Sequence, residues 1–238
     1  VHDRRNLFGV FTRYQKNPYE SMKFTLLLLC FVLALGIFLR FWQLGSVPAG
    51  LNIDEVSEGY NAYSILKTGK DRYGKTFPIL FKSFGSYQAP VYTYLTIIPV
   101  SLFGLNIFAV KVVSAVSGIL VVIFTFLIVN LLLKKEKNRV GLIAGLILVI
   151  SPWAIFFSRV ATEASPALAI FLIGFYLSLK STKFVKLFPL ACLFFGLATH
   201  AYYSERIISL VFLLLFTWLN RRGLLKYRKW VIAGFIVF

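Results

Sequence analysis

The chain of 238 residues is 58% hydrophobic and has a mean hydropathy of +0.78, which excludes a water-soluble globular domain. Its formal net charge of +17 comes from basic residues that cluster in short segments between apolar runs. These cations do not form a stripe among exposed aromatic residues of a soluble domain, so they indicate no nucleic-acid binding. They indicate membrane orientation and contacts with anionic lipid headgroups, and the sequence predicts an integral membrane protein.

Apolar runs of about membrane length follow one another along the chain, and each predicts a transmembrane helix. We place them at residues 24–41, 106–133, 140–157, 166–179, 187–203 and 207–220, with an incomplete run from residue 230. The predicted fold class is therefore all-α, a polytopic transmembrane helical bundle. A signal peptide is the alternative for the first run, because Lys23 precedes it and the small-residue sequence SVPAG follows it. The later spans favour an uncleaved helix.

The basic residues predict which loops share a side of the membrane. They precede the first run and follow the second, fourth and sixth, so all four segments share one side only if 91–104 does not cross. We therefore predict an interfacial or re-entrant helix at 91–104, interrupted by Pro99, and a cytoplasmic amino terminus. The predicted organisation is a cytoplasmic basic tail at 1–23 and an amino-terminal transmembrane portion at 24–238, truncated inside a span, of a longer protein. Its first outer loop runs from about 42 to 105.

Two adjacent acids, Asp54 and Glu55, begin a predicted helix in this first outer loop. Either Asn52 or Asp54 can cap the helix, and Glu55 favours the positive end of its dipole. Apolar residues recur behind them at helical spacing, which predicts a juxtamembrane helix lying flat on the membrane. Because successive helical residues point about 100° apart, Asp54 shares a face with Glu58, whereas Glu55 points elsewhere. On spacing alone, a helix cap and a functional acid explain Asp54 equally well.

Several segments together carry a resemblance to a known family. They are the Asp-Glu pair after the first span, the stretch GKDRYGKTFP, the AP-VYTYL and SLFGLNIFAVKVVSAVSG run, and an outer acid after SPWAIFFSR. In this combination the chain resembles the GT-C membrane glycosyltransferases that use a polyprenyl-phosphate sugar donor. Among these enzymes it resembles the dolichyl-phosphate-mannose protein mannosyltransferases and the bacterial aminoarabinose transferases. The resemblance covers roughly residues 24 to 210, which makes the transmembrane portion the expected catalytic portion.

The resemblance implies transfer of a hexose or pentose to a hydroxyl of a protein, lipid or glycan acceptor, with inversion. It carries the active-site aspartate of such enzymes onto Asp54, and a second acid after the third span onto Glu163, where relatives often have Asp. We expect Asp54 to be the general base, because a phosphate leaves without a dedicated acid. Glu55 is expected to orient either the base or the acceptor. The expected location is a bacterial or archaeal cell membrane, with the active site facing outward.

A lipid phosphate needs cations, and four basic residues near the outer surface are candidates to bind it: Lys82, Lys111, Arg159 and Arg206. Relatives usually carry arginine at the position of Lys111, which keeps the charge but loses the bidentate fork. Snorkelling to the interface explains each cation equally well, and Arg159 and Glu163 have the spacing of a simple ion pair. His200 and Tyr203 are further candidates for substrate contacts, although an aromatic belt also explains the tyrosine.

The sequence predicts no cofactor and no metal site. Two histidines, only one of them in an outer segment, argue against zinc, while the carboxylates leave a divalent cation as an alternative. The main alternative function is a lipid-phosphate flippase or transporter that grips phosphate without breaking a bond. Paired broken helices in inverted repeats, which favour transport, are not evident in the sequence.

Overall fold

The computed structural model describes residues 18–133 and 137–238, and the chain is mostly helical there. The helices are α1 (Pro18–Phe41), α2 (Ile53–Thr68), α3 (Pro90–Phe103), α4 (Ile107–Leu132), α5 (Lys137–Ile150), α6 (Pro152–Arg159), α7 (Ala164–Ser181), α8 (Phe188–Ala201), α9 (Glu205–Leu219), α10 (Arg221–Leu224) and α11 (Arg228–Val237). Short 3-10 turns at Val185–Leu187 and Leu225–Tyr227 precede α8 and α11. The predicted all-α polytopic fold is confirmed. Most of the predicted basic tail at 1–23 lies outside the described residues.

Three of the described helices are long and apolar enough to cross a membrane: Lys23–Phe41 of α1, α4 and α7. The predicted single helix at 140–157 consists of two helices, α5 and α6, which meet at Ser151 with a bend of 61° between them. Pro152 has no amide hydrogen to continue the α5 ladder, and Ser151 Oγ accepts the amide of Ala154 as a new cap. Counted as one broken span, the pair gives a fourth crossing.

The carboxyl-terminal helices pack around α8, which contacts α7, α9 and α11. Phe188, Phe195 and Leu213 are fully buried in this apolar core. Gly174 of α7 lets the ring of Phe195 approach closely, as small residues commonly do between membrane helices. With 14 residues, α8 is shorter than the predicted span at 187–203, whereas α9, with 15 residues, has about the predicted length. Both helices are shorter than the roughly 20 residues of a typical transmembrane helix.

The segment between α1 and α4 holds α2, a small β-hairpin and α3. Strand β1 (Phe81–Ser83) pairs antiparallel with β2 (Ser86–Gln88), and Gly85 takes a φ of 83° in the turn. The hairpin was not predicted, because strands of three residues carry almost no periodic signal. The α3 helix runs through Pro99, so the predicted interruption is wrong; Pro99 is buried, and packing holds both halves of the helix together. Its 14 residues are too few to cross a bilayer.

Candidate active site

The first turn of α2 is fixed by a capping box that does not involve Asp54. Asn52 Oδ1 accepts the amide of Glu55 at 2.9 Å, and Glu55 Oε2 accepts the amide of Asn52 at 2.8 Å. Glu55 Oε1 also accepts the amide of Ala161 at 2.7 Å, so this buried carboxylate ties α2 to the junction of α6 and α7. The interpretation of Asp54 as a helix cap is therefore wrong, and its side chain is exposed beside a cavity.

This carboxyl cavity has a volume of about 310 Å³. The start of α2, strand β2, the α6–α7 junction and the residue after α8 form its wall. They contribute Asn52, Asp54, Glu58, Ser86, Tyr87, Gln88, Phe157, Ala161, Thr162, Glu163, Ala164 and Tyr202. Three carboxyl groups from two distant parts of the chain, those of Asp54, Glu58 and Glu163, therefore meet at one site.

Gln88, at the end of β2, connects the hairpin to Asp54. Its Nε2 donates to the Asp54 carbonyl at 3.3 Å and to Asp54 Oδ1 at 3.4 Å, while its Oε1 accepts the hydroxyl of Ser57 at 2.7 Å. The side chain of Gln88 is thus held by α2 and contacts the candidate base. Sequence reasoning missed Gln88, because nothing in the linear sequence places β2 against α2.

Glu58 lies one turn after Asp54 and is only 1% exposed. The hydroxyl of Thr93 donates to Glu58 Oε2. Among the described residues, no backbone amide, hydroxyl or basic side chain donates to Glu58 Oε1. Burial, and then the negative charges of Glu163 and Asp54, raise the pKa of Glu58 well above its usual range. Burial therefore favours the protonated form of Glu58. The sequence signal that could have found it was its position on the face of Asp54.

The carboxyl groups of Glu163 and Glu58 lie close enough to interact, and a hydrogen bond between them requires a proton on one of the two groups. Its Oε1 also accepts the amide of Ala89 at 2.6 Å. Burial raises the pKa of Glu163 to about 7, and the hydrogen bond from Ala89 opposes this rise. Glu163 is thus the member of the pair that ionises near neutral pH.

Two of the predicted phosphate-binding cations, Lys111 and Arg159, donate to backbone carbonyls and do not line the cavity. Lys111 is 1% exposed, and its Nζ donates to the carbonyls of Pro48 and Gly50 at 2.8 and 2.9 Å. Arg159 donates to the carbonyls of three residues after or at the end of α1, at 2.7 to 2.8 Å: Leu39, Trp42 and Val47. Both cations therefore hold the segment that leads from α1 into α2 by donating to its backbone carbonyls.

The other predicted substrate contacts lie around the cavity rather than in its wall. Arg206 stacks on the ring of Tyr203 at 4.6 Å, and the Tyr203 hydroxyl donates to the carbonyl of Tyr87 at 2.8 Å. Lys82 is exposed on β1, with its Nζ 5.3 Å from the ring centroid of Tyr73.

His200 lines a separate apolar groove, and the residue that reaches the carboxyl cavity from the end of α8 is Tyr202. No Lys or Arg is present among the lining residues of that cavity in the described part of the chain. Within residues 18–133 and 137–238, no group of three or more His, Cys, Asp or Glu side chains is placed to hold a metal ion.

The chain is similar to a known family. The family model described as dolichyl-phosphate-mannose-protein mannosyltransferase matches residues 87–238, more than half of the chain. The matched region includes Gln88, Glu163 and Tyr202 but begins after Asp54 and Glu58. No curated protein and no solved structure matches the chain. The chain therefore belongs to the dolichyl-phosphate-mannose-protein mannosyltransferase family and is a membrane glycosyltransferase with a polyprenyl-phosphate sugar donor.

Proposed function

We propose that the sugar is transferred to an acceptor hydroxyl at the carboxyl cavity, on the extracytoplasmic side and with inversion. The observation that supports this most is an exposed carboxylate, Asp54, beside a cavity whose wall also holds the Glu58–Glu163 pair. The family match supports bond cleavage over the alternative of a flippase.

In the proposed reaction Asp54 acts as general base. It takes the proton of the acceptor hydroxyl while the acceptor oxygen forms a bond to the anomeric carbon of the sugar. The bond between that carbon and the phosphate oxygen breaks from the opposite face, and the lipid phosphate leaves with the electron pair. Glu55 is a positioning residue in this scheme, because its two accepted amide hydrogen bonds hold the first turn of α2 in place.

Arg206 is the cation that we propose for the donor phosphate. It is exposed, and its stacking on Tyr203 connects it to the cavity wall through the Tyr203–Tyr87 hydrogen bond. Lys111 and Arg159 support the site indirectly, because backbone carbonyls engage their charged groups.

The description of the matching family names mannose as the sugar and protein as the acceptor, so we propose this pair as the first to test. A panel of labelled polyprenyl-phosphate hexoses and pentoses, offered with protein, lipid and glycan acceptors, distinguishes the alternatives.

The test of the base is Asp54→Asn in the purified full-length protein. We expect transfer to fall by about 10²- to 10⁴-fold while donor binding persists, because the amide cannot accept the proton. Asp54→Glu, which retains a carboxylate, is the matched comparison and should keep more activity. Equal transfer by wild type and Asp54→Asn would exclude Asp54 as the base. If wild type and Asp54→Asn moved lipid phosphate across the membrane equally well and neither transferred sugar, the flippase would be favoured.

A further inference from the structure

A second and larger cavity, of about 750 Å³, lies at the other end of the helices. α7 begins at the carboxyl cavity and ends at Ser181, α8 returns to Tyr202, and α9 leaves again toward Asn220. The 18 residues of α7 separate the two ends by about 27 Å at 1.5 Å per residue. This distal cavity is therefore formed by the α7–α8 loop and the segment that joins α9 to α11.

Four cations line the distal cavity: Lys183, Lys186, Arg222 and Lys226. No Asp or Glu is among its lining residues in the described part of the chain. After Glu163 the sequence has only one further acid, Glu205, and that residue begins α9 at the opposite end. The described lining therefore contains no carboxylate to balance these cations, and an external anion can balance them.

The same wall carries exposed apolar side chains. Phe184 is 63% exposed, Leu219 is 71% exposed and Tyr227 is 54% exposed. Cations beside exposed aromatic and aliphatic groups suit a ligand that has a negative headgroup attached to hydrocarbon. A free phosphate ion would pair with the cations but would leave the apolar groups exposed to water.

We propose that the distal cavity binds the phosphate headgroup of an anionic phospholipid. Basic pockets between membrane helices hold such headgroups through charge, and the exposed apolar groups contact the acyl chains. The site is separate from sugar transfer, because it lies a full helix length from Asp54. Its occupation connects the two loops that join α7 to α8 and α9 to α11.

The experiment measures lipid binding to the purified full-length protein by native mass spectrometry and by thermal stability in detergent. The probe is phosphatidylglycerol, with phosphatidylcholine as the neutral lipid. We expect saturable binding of phosphatidylglycerol that Arg222→Gln/Lys226→Gln weakens by about tenfold or more, because each cation near a headgroup adds to affinity. The matched control is Arg228→Gln/Lys229→Gln, which removes the same charge just outside the cavity lining and should leave affinity within about twofold.

Two results would overturn the proposal. One is equal weakening by both double variants, which would indicate a diffuse positive surface rather than a site. The other is inorganic phosphate competing as strongly as phosphatidylglycerol, which would exclude a lipid as the specific ligand. The substituted side chains are exposed, so the variants should keep the wild-type melting temperature in phosphatidylcholine.

Discussion

At the scale of single residues, burial gives three neighbouring acids of α2 three different states. Glu55 is buried but accepts two backbone amides, so its charge is satisfied. Glu58 is buried without backbone donors, which favours its protonated form, whereas Asp54 is exposed beside the cavity. The two glutamates, Glu55 and Glu58, therefore differ in their surroundings, and the surroundings set the free-energy cost of a negative charge.

The pKa of Glu163 predicts a pH-dependent stability. Its folded-state pKa of about 7 lies above the ordinary 4.5, so the folded protein holds a proton that the unfolded chain releases between these values. Stability should therefore fall as pH rises through this window, by on the order of 3 kcal/mol for this group alone. We expect Glu163→Gln to flatten the fall in melting temperature between about pH 5 and about pH 8. An unchanged slope in the variant would contradict the assignment. Part of the remaining slope comes from Glu58, whose pKa is also raised.

Lys111 is predicted to be a structural cation. Lys111→Met leaves the partly buried carbonyls of Pro48 and Gly50 without the Lys111 donor, which should cost about 1–3 kcal/mol. The melting temperature should fall while the KM for the donor stays close to that of the wild type. Lys82→Met, which removes an exposed cation, is the control and should not change the melting temperature. A raised KM with unchanged stability in Lys111→Met would instead restore the phosphate-binding role.

At the scale of elements, the cavity depends on how closely α2 packs on α4. Gly59 makes this contact: a Cβ at this position would come within 2.5 Å of Val110 Cγ2. The α2 helix also packs on α3, which contributes Thr93 to Glu58. Small movements of α2 therefore shift Asp54 and change the contact between Glu58 and Thr93.

Gly59→Ala should push α2 away from α4 and destabilise the protein by about 1–3 kcal/mol, with a parallel loss of transfer. Gly45→Ala is the control, because a methyl group added there would lie 3.7 Å from its nearest neighbour, Phe108 Cβ, at an ordinary contact distance. Val110→Ala in the Gly59→Ala background makes room for the new methyl group and should recover part of the loss. Independent, additive losses in melting temperature would argue against this contact.

At the scale of the whole molecule, the helices connect two regions of opposite charge. Carboxyl groups gather where α2 meets the α6–α7 junction, and cations gather at the far ends of α7 and α9. Basic loops favour the cytoplasmic side of a membrane. This separation supports the proposal that the carboxyl cavity faces outward.

Cysteine labelling tests this orientation. In a background without Cys30 and Cys192, Ser86→Cys reports on the carboxyl cavity and Lys226→Cys on the distal cavity. We expect a membrane-impermeant maleimide to label only Ser86→Cys in intact cells, and Lys226→Cys only after permeabilisation. Labelling of Lys226→Cys in intact cells would reverse the proposed orientation.

The sequence by itself determined the membrane class, the helical fold and the face that Asp54 shares with Glu58. These properties depend on hydrophobic content and helical period, which are local. The bend at Ser151 was also local, yet a hydropathy window averages over it. Only the tertiary structure decided that Lys111 and Arg159 donate to backbone carbonyls, that Gln88 contacts Asp54, and that Glu163 lines the same cavity as Asp54. Those outcomes depend on contacts between segments far apart in the chain, where packing and desolvation select the partner of each charge.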